Sequence, residues 1–313
     1  MPRTSVFYRS ILPAAALVAV AAFAPYARAW ENEGHRMINR LAATNLPADV
    51  PAFLTTSAAI DEIEYLGPEP DRWRSPAEPE LSAAQAPEHF IDLEPADALG
   101  PLPARRLDFE AKVFAANQRP EKIGLQPWEA DEVWERLKAA MREYRTLRAT
   151  HKDTKPVEQA IIFYAGWLGH YVADASQPLH TTVQYNGWTG PNPNGYTTSR
   201  QIHHVFEGVF VAANIHPADI QAHMTAAKVI KGEMFPAYVA YLRTTFSNVE
   251  KLYQLEKGGG FEGAGTAETR AFTAERLAAG ASMLRDMIYT AWIDSATPVA
   301  DPYAQPTPAP AKK

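Results

Sequence analysis

The sequence predicts a mainly α fold, a single helical domain with long irregular loops, and three observations carry that expectation. Apolar residues recur at helical spacing in several long windows, no run alternates with the period of two that a half-buried strand needs, and the windows break at Pro and Gly. No fixed-period repeat stands out. The chain has 313 residues, 46% hydrophobic and 21% charged, an ordinary soluble composition with length for one large or two small domains. Composition marks no internal boundary, so residues 30–296 are read as one unit.

The first 29 residues stand apart. Arg3 and Arg9 precede an apolar stretch from Ile11 to Phe23 that is too short to span a bilayer, and Ala27-Arg28-Ala29 is the small-x-small pattern that a signal peptidase cuts. Cleavage before Trp30 and a periplasmic or secreted location are expected, with no membrane insertion once the signal is gone. The signal holds three arginines and no acids, so its removal takes the formal net charge from -6 to -9. Such a balance argues against a non-specific phosphate-binding surface. Any phosphate must be drawn in by localised cations. There is no cysteine, so an exported chain must be held by its core or by metal.

Glu33 to Leu46 reads as the first helix, with Met37, Ile38 and Leu41 on one face, Pro47 and Pro51 closing it, and His35 in its first turn. Ala58 to Pro103 is rich in Pro, Ala and Glu without a sustained period and reads as a long, mostly irregular connection, the kind that carries function. A short helix covers Arg105 to Asn117. Pro127 then takes the first position of another that runs to about Leu147, whose stripe of Trp134, Leu137, Met141 and Tyr144 has core spacing. Val157 to Leu168 carries almost no charge and reads as a buried helix.

Turn signals at Asn186-Gly187 and Asn194-Gly195 make Val183 to Ser199 a loop, and Arg200 to Ala213 resumes a helix. Pro217 to Glu256 reads as one long helical stretch that Pro236 kinks or divides. Gly258-Gly259-Gly260 precedes a last helix from about Ala267 to Asp294, and the Pro/Ala-rich tail, Thr297 to Lys313, is expected to be disordered.

The chemistry gathers at the end of the apolar helix. His170 and Asp174 are one turn apart and face the same way, and Pro178 stops the helix so that His180 swings back towards them. Two imidazoles and a carboxylate are ligand types that zinc selects, although a core His–Asp hydrogen bond accounts for this stretch equally well. His203 and Glu207 form a second i,i+4 pair. His204 has no acid one turn on and reads as supporting or exposed, and His151, His216 and His223 as surface residues. His89 opens His89-Phe90-Ile91-Asp92 in the irregular connection, and Asp71 follows Pro70 as an ordinary turn residue would. Cleavage before Trp30 frees an α-amine which, with its own carbonyl oxygen, could chelate a metal, with His35 as a further ligand.

In this order, Trp30-Glu31-Asn32-Glu33-Gly34-His35, Asp71-x-x-Arg74, His89-Phe90-Ile91-Asp92, His170-x-x-x-Asp174-x-x-x-x-x-His180 and His203-x-x-x-Glu207 resemble the S1/P1 nuclease family, a relative of bacterial zinc phospholipases C. The resemblance implies an all-α fold of the phospholipase C/P1 nuclease type and a site of three Zn2+ ions. Asp71, His89, His170 and Asp174 would hold the first; His180, His203 and Glu207 the second; Trp30, His35 and a bridging Asp174 the third. It further implies that a metal-bridged hydroxide attacks phosphorus, with Asp71 orienting it and Arg74 stabilising phosphoryl charge. Phe90 would stack on a base and Asp92 accept hydrogen bonds from it; simple packing and capping is the other reading of these two.

The implied enzyme is an exported endonuclease and 3′-nucleotidase acting on single-stranded DNA, RNA and nucleotides, with no stable protein partner implied. The sequence departs from the family at Glu207, where Asp is usual, and in the Asn186 to Tyr196 segment, which lacks the expected Gly-Gly-Asn loop. Asp61 competes with Asp71 as the loop ligand; Asp71 is preferred because Arg74 follows it at the family spacing and because it is nearer His89. Two other functions stay open, a phospholipase C with the same metals and a zinc-binding protein without turnover. Phe90 and Asp92 argue against the first, and Arg74 beside a ligand argues against the second.

Overall fold

A computed structural model describes residues 30–299. The expected signal and the tail from residue 300 lie outside the described residues. The elements in order are α1 (Glu31–Thr44), α2 (Ser57–Leu66), α3 (Glu69–Trp73), α4 (Pro79–Gln85), α5 (Leu93–Ala98), α6 (Arg106–Ala115), α7 (Pro120–Ile123), α8 (Gln126–Ala149), α9 (Lys155–Asp174), α10 (Ile202–His204), α11 (Val211–Asn214), α12 (Pro217–His223), α13 (Met234–Phe246), α14 (Val249–Lys257) and α15 (Ala267–Asp294). Among the described residues the only β pairing is two isolated bridges, Ile91 with Gly124 and Tyr185 with Gly187. The mainly α expectation therefore holds.

Helix α9 is the axis of the molecule, packed against α8, α2, α15 and α1. Its uncharged sequence follows from that position, since most of the helix from Ile161 onward is buried and little solvent face is left on which to place charge. Close approach is built in at Gly169, where a Cβ would lie 2.0 Å from Asn39 Oδ1. The Asn39 side chain donates to the carbonyls of Ile63 at 2.8 Å and Gly166 at 3.0 Å, which fixes α1 and α2 against α9. Trp134, Leu137, Met141 and Tyr144 are all buried in the core, as their spacing predicts.

Four expectations need correction. Residues 58–103 are not mostly irregular but hold most of α2, all of α3, α4 and α5, and a 3-10 turn, Ala86–His89. Each is too short to show a clear period of 3.6. Pro236 neither kinks nor divides a helix, because it sits in the first turn of α13, where no donor is needed. The break comes earlier, at residues 224–233. There the main-chain N–H groups of Thr225, Lys228 and Ile230 donate to Ser282, Asp286 and Thr290 of α15, at 3.1, 3.2 and 2.9 Å. Helical bonds and these cannot both be made. Finally, Val205–Phe210 is a π-helical turn between α10 and α11, and Pro127 takes the second position of α8 rather than the first.

Candidate metal centre

The C-terminal end of α9 supplies the centre of the site. Unpaired carbonyls make a helix C-terminus electronegative, so a cation is favoured there. Around it stand His35 from the second turn of α1, Asp71 from α3, His89 at the end of its 3-10 turn, His180 on the 3-10 turn Pro178–His180, His203 from α10 and Glu207 from the π-helical turn. With His170 and Asp174 these eight residues are all buried, none more than 6% exposed. So many ionisable groups out of water require compensation.

Tautomers are set by main-chain carbonyls, which can only accept. His170 Nδ1 lies 2.9 Å from Gly67 O, His180 Nδ1 2.6 Å from His89 O, and His203 Nδ1 2.9 Å from Tyr185 O. Each Nδ1 therefore carries the proton, and each Nε2 turns a lone pair inward. The Nε2 atoms of His180 and His203 stand 3.1 Å apart, and His203 Nε2 is 2.8 Å from Glu207 Oε2. Lone pairs facing one another beside a carboxylate need a cation or a proton between them.

Asp174 is shared more widely. Its Oδ1 is 3.4 Å from His35 Nε2, and its Oδ2 is 3.2 Å from His89 Nδ1 and 3.4 Å from His170 Nε2. Neither oxygen accepts a hydrogen bond from protein. Burial pushes its carboxyl well above the usual range, with Asp71 and Glu207 adding to the shift. Burial also pushes Glu207 up, but the His203 and His180 imidazoles outweigh it and hold that carboxyl at about 2. His89, His170 and His180 are lowered chiefly by burial, which keeps them neutral and ligand-ready.

Three sets of donors converge within 4.8 Å: His35, Asp71 and His170; His89, His170 and Asp174; His180, His203 and Glu207. Nitrogen and carboxylate donors without thiolate fit zinc and leave coordination positions open. The main-chain nitrogen of Trp30 lies 3.2 Å from Glu207 Oε2, beside the last set. Its indole is fully buried and donates to Ala173 O at 2.8 Å and Ser176 Oγ at 2.9 Å. Burial of such a side chain is worth roughly 1.5–3 kcal/mol, enough to seat a residue that processing would leave at the chain end.

Beside the cluster opens a cavity of about 350 Å³ lined in part by Arg74, Phe90, Asp92, His180 and His203. Arg74 Nη1 is 3.5 Å from Asp71 Oδ1. Burial and Glu94 push the Asp92 carboxyl up to about 7. The competing Asp61 is exposed and paired with Arg40 at 2.9 Å, whereas Asp71 is buried in the cluster. His204 is half-buried against Glu31 at 2.7 Å, and His151, His216 and His223 are exposed.

Sequence reasoning missed Gln177, fully buried, whose Nε2 donates to Glu207 Oε2 at 3.0 Å, and the cavity residues Lys122 and Tyr185. Gln177 left one signal, a polar residue between a buried helix and Pro178. The other two left none.

The model of the S1/P1 Nuclease family matches residues 30–282. The chain belongs to the S1/P1 nuclease family. Membership supports a zinc-dependent phosphodiesterase-type function. Among the described residues no helix is long and apolar enough to cross a membrane. No curated protein matches the chain. Among solved structures it is similar to the alpha-toxin of Clostridium perfringens isolated from avian strain SWCP, at 14% identity and a TM-score of 0.42. That alignment covers 84% of this chain and 63% of the toxin chain.

Proposed function

We propose that this S1/P1 nuclease family member is an exported endonuclease and 3′-nucleotidase. It hydrolyses phosphodiester bonds of single-stranded DNA and RNA to 5′-nucleotides and removes 3′-phosphates from nucleotides. The observation that carries the reading is the meeting, in one cavity, of metal-ready imidazoles with Arg74, Phe90 and Asp92. Bound zinc would supply a water of lowered pKa and a Lewis acid for the phosphoryl oxygens.

The chain's own groups do the rest. His35, Asp71, His89, His170, Asp174, His180, His203 and Glu207 hold the metals, with the Trp30 terminus completing the set after cleavage. Asp71 orients the attacking water, and the Arg74 guanidinium meets developing charge on the phosphoryl oxygens. Phe90 stacks on a base and Asp92 bonds to its edge, an arrangement that tolerates sequence and needs an unpaired strand. Arg74 also separates this reading from a storage site, which has no use for a phosphate-binding cation.

The test expresses the protein with its signal so that Trp30 is freed, counts zinc by mass spectrometry, and assays single-stranded DNA beside phosphatidylcholine vesicles. Three zinc ions per chain and cleavage of DNA alone are expected, with activity lost when residues are added before Trp30. Arg74→Ala is expected to lower kcat about 10²- to 10³-fold with zinc content unchanged. Lipid cleavage without DNA cleavage would transfer the assignment to a phospholipase C.

A further inference from the structure

The cavity carries a cation that the metal chemistry does not use. Lys122, on the short helix α7, lines it together with Phe90, Asp92 and Tyr185. Its position is built into the backbone. Asp92 N donates to Ile123 O at 2.7 Å, Leu125 N donates to Pro87 O at 2.7 Å, and Ile91 pairs with Gly124 in an antiparallel bridge. These bonds lay the α7 segment along Phe90 and Asp92. Gly124 permits the contact, with φ at 97° and a Cβ position only 2.1 Å from the Phe90 carbonyl oxygen.

Glu121, the adjacent acid, is engaged by Arg119 at 2.8 Å. Among the described residues Lys122 and Asp92 form no ion pair with each other, and both line the cavity. Tyr185, 53% exposed, and the half-buried Phe90 add two aromatic surfaces in the same cavity.

A carboxylate and an ammonium lining one cavity with aromatic faces suit a planar base whose edge presents donors next to a carbonyl. Guanine is that base: N1–H and the N2 amine donate to a carboxylate, and O6 accepts from an ammonium. Adenine offers the carboxylate a single donor group and sets no carbonyl before the ammonium. We propose that Asp92 and Lys122 read the edge of a guanine base, with Lys122 the residue that sets the preference. The inference rests on the nucleotide reading above.

The experiment uses the zinc-loaded mature protein at pH 8. It compares hydrolysis of 3′-GMP, 3′-AMP, 3′-CMP and 3′-UMP, and measures equilibrium binding of 5′-GMP and 5′-AMP by calorimetry. Guanine is expected to be favoured over adenine about tenfold or more in both. Lys122→Met is expected to bring the two purines level through a higher KM for 3′-GMP, and Lys122→Arg to keep the preference. Equal treatment of the bases by the native protein, or a preference untouched by Lys122→Met, would overturn the proposal while leaving the nuclease reading intact. Selective binding of 5′-GMP that depends on Lys122, without hydrolysis of any 3′-nucleotide, would sustain the proposal and remove the nucleotidase reading.

Discussion

Asp174 and Glu207 are both fully buried in one cluster, yet their carboxyls move in opposite directions. Glu207 is met by two protein donors, the Trp30 main-chain nitrogen and the Gln177 amide, with His203 Nε2 2.8 Å away. Asp174 has three imidazoles within 3.4 Å, the repulsion of Asp71 and Glu207, and no hydrogen bond accepted from protein by either oxygen. The difference teaches where the fold completes itself and where it waits for a cation. Glu207 is satisfied in part by protein donors on one oxygen, whereas Asp174 has none on either and is organised for metal.

The comparison is broken most forcefully by neutralising each acid in turn. Asp174→Asn is expected to lose more than one zinc and on the order of 10³-fold in kcat/KM. Without metal, however, it should melt at or above the native temperature at pH 8, because the cost of burying an ionisable carboxyl without donors is gone. Glu207→Gln should behave in the opposite way, losing one zinc and costing the metal-free protein about 1–3 kcal/mol through broken hydrogen bonds. Zinc counting and calorimetry on both forms check this. Equal losses of metal-free stability would dissolve the distinction.

A smaller change sharpens it. Gln177→Ala leaves every proposed ligand in place but removes the amide from Glu207, and a 10- to 100-fold loss in affinity for one zinc is expected. Competition with a chromophoric chelator measures it, and an unchanged constant would show that Gln177 only packs.

The smallest expected effect lies outside the site, at a carboxyl compensated in a third way. Glu129 and Glu88 share Arg106, at 3.3 and 3.0 Å, and this cluster anchors the turn that bears His89 to α8. Burial, followed by the charge of Glu88, pushes Glu129 up to about 8 from an ordinary 4.5. Between those pH values the folded protein holds a proton that the unfolded chain has lost, so this contribution is full below pH 4.5 and is lost as pH rises towards 8. Glu129→Gln is therefore expected to match the native melting temperature at pH 5 and exceed it by about 2–4 °C at pH 9. Melting curves at the two pH values check the sign.

Sequence reasoning reached the long elements and the donors carried on them. The last helix, Ala267–Asp294, is found where its period and the preceding Gly run put it. His170, Asp174 and His180 meet because one helical turn and Pro178 require it, and His203 reaches Glu207 across a single turn. Residues 58–103 were illegible because helices of five to ten residues complete too few turns to show a face. The extended path of residues 224–233 depends on acceptors about sixty positions away on α15. Lys122 was invisible for the same reason, since only the Ile91–Gly124 pairing brings α7 to the cavity.

The most direct test of the account is anomalous diffraction at the zinc edge from crystals of the processed, zinc-loaded protein. The account predicts three zinc peaks, two of them within coordination distance of Asp174 and one of Glu207. Asp174 without zinc, held instead by protonated histidines, would contradict it.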